Sequence, residues 1–252
     1  MSTTLLKCLK VIETLAQSDE PRGISELARE VDLNKSAIQR IFRTLEQSGY
    51  VEKAGSSARY QLTLKIWQVG ARVIERHEIR RQIHPILRYG AKASGLTLYF
   101  VIAEFPDAVY LDKVEGEKGR PQSSEPGRRV PMHLTASGKA ILAFLPESAR
   151  EAICRDVEVL AERRAKLDRE LEQIRADHFS TSISGSIAGV NSVAAPVWGA
   201  RGEPIGSLCI TGDAGVMPEG ELASFGQQAV ALADQATRVI GGSIPGLGSD
   251  NP

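Results

Sequence analysis

The chain is poor in cysteine: Cys8, Cys154 and Cys209 are the only three among 252 residues. An odd number at such distant spacings fits neither a disulfide framework nor a zinc site. No run approaches 18 consecutive apolar residues, so neither a transmembrane helix nor a membrane partner is expected. The start, Met-Ser-Thr-Thr-Leu-Leu-Lys-Cys, lacks the basic segment, apolar core and small-residue cleavage site of a secretory leader, and the expected location is the cytoplasm. A net charge of one sign is also missing, with 31 Lys+Arg against 31 Asp+Glu. The 42% apolar and 25% charged residues are near the averages for globular proteins and exclude wholesale disorder, collagen and a coiled-coil rod. The length suits one large domain or two smaller ones.

The zero net charge hides an asymmetry. Residues 1–92 hold 16 basic and 10 acidic residues, whereas residues 93–252 hold 15 and 21. A basic third joined to an acidic remainder suggests that the first part meets a polyanion, while the acidic bulk repels it.

Apolar residues at Leu5, Leu9, Ile12 and Ala16, widened by Leu6 and Leu15, predict a first helix that Asp19-Glu20-Pro21-Arg22-Gly23 ends. Ser25 is the expected N-cap of a short second helix, Glu26 to Val31, with Leu27, Ala28 and Val31 on one face. Asp32-Leu33-Asn34 makes a tight turn. The third helix runs from Lys35 to about Ser48, with Ile38, Ile41, Phe42 and Leu45 at i, i+3, i+4 and i+7, and Gly49 stands at C′. Tyr50–Lys53, the small-residue tip 54–58 and Arg59–Leu62 read as a two-stranded hairpin. Three helices and a hairpin in about sixty residues describe a winged helix-turn-helix, whose third helix is placed to enter a DNA major groove.

The outer side of that third helix carries Lys35, Ser36, Gln39, Arg40, Arg43 and Thr44, with no acid before Glu46. Acids there would face phosphates, so the bare basic face is informative. Lys35 and Ser36, near the helix start, suit phosphate or the first base edges. Gln39 matches adenine and Arg40 guanine in bidentate pairing. Lys53 and Arg59 flank the wing tip and are candidates for the DNA backbone or minor groove. A charged helix face is commonly only a solvated one; the surrounding order of elements favours DNA.

Residues from Leu64 to about Tyr89 are again helical, with Ile66, Val69, Val73 and Ile74 apolar, and Pro85 expected to kink or end the run. This is a linker helix whose stripe needs a partner, consistent with a dimer on a palindromic operator. After Gly95 the period changes to that of strands: 96–103 and 108–114, joined by Phe105-Pro106-Asp107. A polar loop from Glu115 to Pro131 follows, then helices at Ala136–Leu145 and about Leu160–His178. Strands Ser192–Trp198 and Ile205–Thr211 and a helix from Glu219 to about Ile240 complete the pattern. The order ββ-α-α-ββ-α implies an α+β domain with an antiparallel sheet. The expected division is 1–63 winged helix, 64–92 linker helix, 93–240 effector domain and 241–252 a disordered Gly/Pro/Ser/Asn tail.

The run Val130-Pro131-Met132-His133-Leu134-Thr135-Ala136-Ser137-Gly138-Lys139-Ala140 resembles a hallmark of the isocitrate-lyase-regulator (IclR) family of bacterial transcription factors. Gly189-Val190-Asn191-Ser192-Val193-Ala194-Ala195-Pro196-Val197 is similar to a second hallmark. Leu27-Ala28, Leu33-Asn34-Lys35-Ser36, Arg40, Leu45 and Gly49-Tyr50-Val51 match the DNA-binding half, and the similarity runs from about Leu5 to Ile240. The resemblance implies a winged helix-turn-helix, a linker helix and a GAF-like effector domain. It also implies a homodimer or homotetramer that senses a small organic acid. The effector-binding positions it implies here are Ala136, Ser137, Ser182, Ser192, Cys209 and Thr211. Better-known members often carry acids near position 182, where this chain has only Ser, Thr, Ile and Gly. A helix start and hydroxyl groups favour a carboxylate.

Catalysis is not expected. Ser137-Gly138-Lys139 lacks the P-loop spacing, since position 133 is His and Lys139 is followed by Ala140. Gly138 reads as a packing glycine, and Lys139 as a residue on the helix surface or one that caps a loop. His77, His84, His133 and His178 show no metal-ligand spacing, so neither metal nor other cofactor is expected. The sequence reads as a ligand-responsive, sequence-specific regulator that binds double-stranded DNA. The rival readings are a protein-interaction module and a small-molecule-binding enzyme with a winged-helix appendage.

Overall fold

The computed structural model describes residues 2–118, 125–155, 161–185 and 187–245. Parts of the expected polar loop (119–124) and tail (246–252) therefore lie outside the described residues. The chain divides into two compact units, Met1–Arg76 and His77–Pro252. No helix among the described residues is long and apolar enough to cross a membrane.

Unit 1 contains α1 (Thr3–Ala16), β1 (Arg22–Gly23), α2 (Ile24–Glu30), α3 (Lys35–Gln47), β2 (Val51–Lys53), β3 (Arg59–Leu62) and α4 (Leu64–Glu75). Its core joins Val11 and Leu15 of α1, Leu27, Ala28 and Val31, and the Ile38, Ile41, Phe42 and Leu45 stripe of α3. Asp32 adopts the left-handed region (φ 54°), which turns the chain between α2 and α3. Asn34 then caps α3, its Oδ1 accepting from the Ala37 amide at 2.8 Å. Gly49, at φ 76°, releases the chain into the wing.

Three local expectations are corrected here. In α1 the core face is Val11 and Leu15, while Leu5, Leu6 and Leu9 are exposed; both faces of that helix are apolar, so period alone does not choose between them. The second helix is capped by Gly23 rather than Ser25, because Glu26 accepts the Gly23 amide at 3.2 Å. The wing sheet has three strands, ordered β1-β3-β2, since Arg22 and Gly23 pair with Tyr60 and Arg59.

Unit 2 opens with α5 (Glu78–Ser94) and continues through β4 (Thr97–Glu104), β5 (Asp107–Val114) and β6 (Arg129–Pro131). A 3₁₀ turn (Met132–Leu134) leads to α6 (Ala136–Leu142), α7 (Glu147–Arg155) and α8 (Ala161–Asp177). Strands β7 (Ser180–Ile183), β8 (Val190–Trp198) and β9 (Pro204–Asp213) precede α9 (Leu222–Val239). The antiparallel sheet is ordered β6-β5-β4-β9-β8-β7. One face packs with Met132, Ile141, Leu171 and Ile174 over Tyr99, Val101, Tyr110, Ala194 and Cys209. The other face carries α5 and α9: a Cβ on Gly90 of α5 would lie 2.5 Å from Leu98 of β4 and 2.8 Å from Leu232 of α9. A side chain at position 90 would force those two leucine methyls to shift.

The sequence pattern missed β6, β7 and α7. β6 is three residues long, β7 is Ser-Thr-Ser-Ile at the sheet edge, and α7 buries only Ile153 and Cys154. The run expected as one linker helix is two, α4 and α5, separated at Arg76 and His77. Pro85 does not break it. It lies exposed inside α5 between buried Ile83 and Leu87, on the side where water can satisfy the carbonyl that loses its partner. Just past α9 the Gly242 amide donates to the Thr237 carbonyl at 2.7 Å and the Ser243 amide to the Gly199 carbonyl at 3.0 Å.

Candidate functional site

In unit 1, α3 presents Lys35, Ser36, Gln39, Arg40, Arg43 and Thr44 on one exposed side, opposite its buried apolar stripe. Ser36 donates to Asn34 Oδ1 at 2.8 Å, and the Thr44 hydroxyl to the Arg40 carbonyl at 3.1 Å. Those two hydroxyls are engaged along the helix itself. Lys35, Arg40, Arg43 and Lys53 take part in no ion pair among the described residues. Their charge is uncommitted, as contact with phosphates or base edges requires.

Arg59, in contrast, is engaged within unit 1. Its Nη2 meets Glu26 Oε1 at 2.7 Å and its Nε donates to the Pro21 carbonyl at 3.0 Å. The guanidinium therefore ties the wing to α2 and to the residue preceding β1. The Gly23 amide, and then Arg59 and Arg22, hold the Glu26 carboxyl below its ordinary range.

In unit 2 the sheet and α6 line a partly open cavity of about 40 Å³. All six positions, Ala136, Ser137, Ser182, Ser192, Cys209 and Thr211, line it together. Register explains the meeting of the strands: Ser182 pairs with Ser192, Ser192 with Thr211 and Thr211 with Thr97, so four hydroxyl side chains cross β7, β8, β9 and β4 in one row. Ser192 and Thr211 hydroxyls are 3.1 Å apart. In the next row, Cys209 Sγ lies 3.4 Å from Thr211 Oγ1. Burial pushes the Cys209 thiol up, with the Thr211 and Ser137 hydroxyls opposing.

The opposing wall is the Thr135-Ala136-Ser137-Gly138 turn. Thr135 Oγ1 accepts from the Gly138 amide at 3.0 Å and caps α6. Ser137 is 1% exposed, and its Oγ, though near enough to influence Cys209, makes no hydrogen bond of normal geometry. A Cβ on Gly138 would sit 2.2 Å from the Met132 carbonyl oxygen, which accounts for glycine there as a packing requirement. Lys139 points away to Glu170 of α8 at 2.8 Å. Ser137 and Lys139 thus serve different surroundings, and the arrangement is not a nucleophile–base pair.

Every described lining side chain is neutral. The sequence reading missed Tyr99, Tyr110, Thr135, Ile187 and Val190, which also line the cavity. Thr135 is legible as a helix cap in Thr-Ala-Ser-Gly. The tyrosines are not, because their placement depends on strand pairing; their rings meet edge to face at 5.1 Å. Among the described residues no group of three or more His, Cys, Asp and Glu side chains is arranged to hold a metal.

Two family models match the chain. The bacterial transcriptional regulator IclR C-terminal domain matches residues 71–238, and the IclR helix-turn-helix domain matches residues 4–55. The HTH-type transcriptional regulator XynR of Escherichia coli is 26% identical over 242 residues, covering 93% of this chain and 96% of that protein. The transcriptional repressor IclR of the same organism is 25% identical over 247 residues, covering 95% and 90%. Among solved structures, the Thermotoga maritima IclR aligns with a TM-score of 0.72 at 28% identity, over 94% of this chain and 98% of that one.

Proposed function

The chain belongs to the IclR family of bacterial transcriptional regulators, and on that premise we propose that it is a sequence-specific regulator whose DNA affinity responds to a small carboxylate bound in the cavity between the sheet and α6. One observation carries the reading: the six positions implied by the family resemblance line one cavity that offers hydroxyl donors and no charged side chain among its described lining. A carboxylate without a cation needs several donors to replace its water. Ser137, Ser182, Ser192 and Thr211 supply hydroxyls, and the first amides of α6 have no partner within the helix.

Lys35, Gln39, Arg40, Arg43 and Lys53 are the proposed DNA contacts, with Arg40 and Gln39 reading bases and the others holding phosphate. Ser36 and Thr44 act at the edge of this face. The proposed assembly is at least a dimer on a palindromic operator. Helix α4 buries none of its side chains and leaves Leu64 (76% exposed), Trp67 (69%) and Val73 (64%) open, while α1 leaves Leu5, Leu6 and Leu9 open. Exposed apolar helix faces of this kind are covered in oligomers. The comparisons speak for regulation rather than catalysis, and no enzymatic role is proposed.

The test is selection of duplexes from a random DNA pool, followed by salt titration and addition of acetate, pyruvate, glycolate or benzoate. An enriched inverted repeat, a steep salt slope and a carboxylate-dependent shift in Kd are expected. No enrichment would move the weight to a protein-interaction module. Calorimetric binding of only cationic or carboxyl-free compounds would overturn the ligand assignment.

A further inference from the structure

Alternate residues of a strand point to the same face, yet Tyr110 and Asp112 of β5 do not. Tyr110 pairs with Val101 and Asp112 with Phe100, which leaves Leu111 as an extra residue. Two residues opposing one is a β-bulge, and it turns the strand between them. Tyr110 consequently lines the cavity. Asp112 emerges on the opposite face, beneath α5.

The Asp112 side chain is only 4% exposed. Its Oδ1 accepts from Arg80 Nη2 at 3.0 Å and from the Lys113 amide at 3.1 Å. Its Oδ2 lies 2.7 Å from His84 Nδ1; a carboxylate only accepts, so that nitrogen carries the proton. A buried carboxylate is costly unless paired, so Asp112 is tied to wherever Arg80 and His84 go. Those residues occupy the first two turns of α5, which starts at Glu78, two residues after unit 1 ends at Arg76. The gripped turns are therefore those covalently nearest the DNA-binding unit. Arg80 Nε is buried without a hydrogen-bond partner among the described residues, so this arrangement leaves one donor desolvated.

We propose that Asp112 is a positioning residue through which the state of the cavity is passed to the DNA-binding unit. A ligand that displaces Tyr110 moves the bulge, and Asp112 carries the start of α5 with it. Both sites bias one two-state element, which is what coupling between them requires. The inference rests on the ligand-responsive reading above.

A cycle in the full-length protein tests this without a known ligand. Tyr110→Trp enlarges the ring in the cavity, and Tyr110→Phe is the milder variant should the first fail to fold. Each is combined with Asp112→Asn, and Kd is measured on the enriched duplex, with circular dichroism to verify folding. The cavity variant is expected to shift Kd by about fivefold or more, and the shift is expected to vanish in the Asp112→Asn background. Arg80→Met should reproduce Asp112→Asn with an unchanged salt slope, and Arg80→Lys should recover most of the effect. A reduced salt slope in Arg80→Met would make Arg80 a direct DNA contact instead. Additive effects of the Tyr110 and Asp112 changes, or folded variants with wild-type Kd, would overturn the proposal while leaving regulation intact. A wild-type protein that enriches no duplex would fail the regulatory reading itself, and this inference with it.

Discussion

Replacing Gly138 with alanine sets two effects of opposite sign against each other. Alanine is a better helix former than glycine by about 0.8–1.0 kcal/mol, and Gly138 lies inside α6. Against that gain, the new methyl would stand 2.2 Å from the Met132 oxygen, 2.5 Å from its Cα and 2.6 Å from its carbonyl carbon. All three are backbone atoms, so no rotamer change relieves the clash. Ordinary contact begins at 3.4 Å, and the turn before α6 must retreat by about 1 Å. Overpacking of this kind costs about 1–3 kcal/mol, and backbone displacement lies at the upper end. The net expectation is a loss of about 2 kcal/mol. For a unit of this size that lowers Tm by about 4–8 °C. Calorimetric or urea unfolding reads the stability, and carboxylate titration reads the cavity, which should suffer too because the displaced turn adjoins Thr135 and Ser137. An alanine variant as stable as the parent would refute the reasoning and show that helix propensity, not close approach, governs position 138.

Arg40→Ala should weaken binding to the enriched duplex by about 1–3 kcal/mol and relax preference at one base, read by quantitative binding to single-base variants. Arg59→Met should instead lower the unfolding midpoint of unit 1 with little change in the salt slope of DNA binding, because its guanidinium is held by Glu26 and Pro21; a reduced slope would restore it to the DNA face. The depressed Glu26 carboxyl contributes stability that is present above its ordinary value of 4.5 and lost as pH falls through its lower folded value. Urea titrations across acid pH should show that loss, and Glu26→Gln should flatten it. Burial of His133 pushes its imidazole below 6.5, so the unfolded chain binds that proton more readily. Stability of unit 2 should therefore fall as pH drops below 6.5, and His133→Gln should remove the dependence; an unchanged profile would mean that the ring takes up its proton without moving.

What the sequence disclosed depended on whether a residue's environment was local. Helix α3 was legible because Ile38, Ile41, Phe42 and Leu45 mark one stripe and Asn34 and Gly49 mark its ends, all within one run of chain. In α1, apolar residues surround the helix, and only the fold shows that Val11 and Leu15 face inward. Arg59 was visible as a charge near the wing tip, but its partner Glu26 lies 33 residues earlier, and nothing in the wing's own pattern reveals it. The cavity divides the same way. Resemblance supplied Ser182, Ser192, Cys209 and Thr211, and strand register then aligned the three hydroxyl residues with Thr97, a residue no local pattern had marked. Tyr110 and Asp112 show the limit most clearly. Strict alternation assigns them to one face, and a single extra residue sends one to the cavity and the other to α5. A regular strand would have set Tyr110 and Asp112 against the same neighbours. The irregularity that defeats the pattern is thus what brings cavity and linker within one strand of each other.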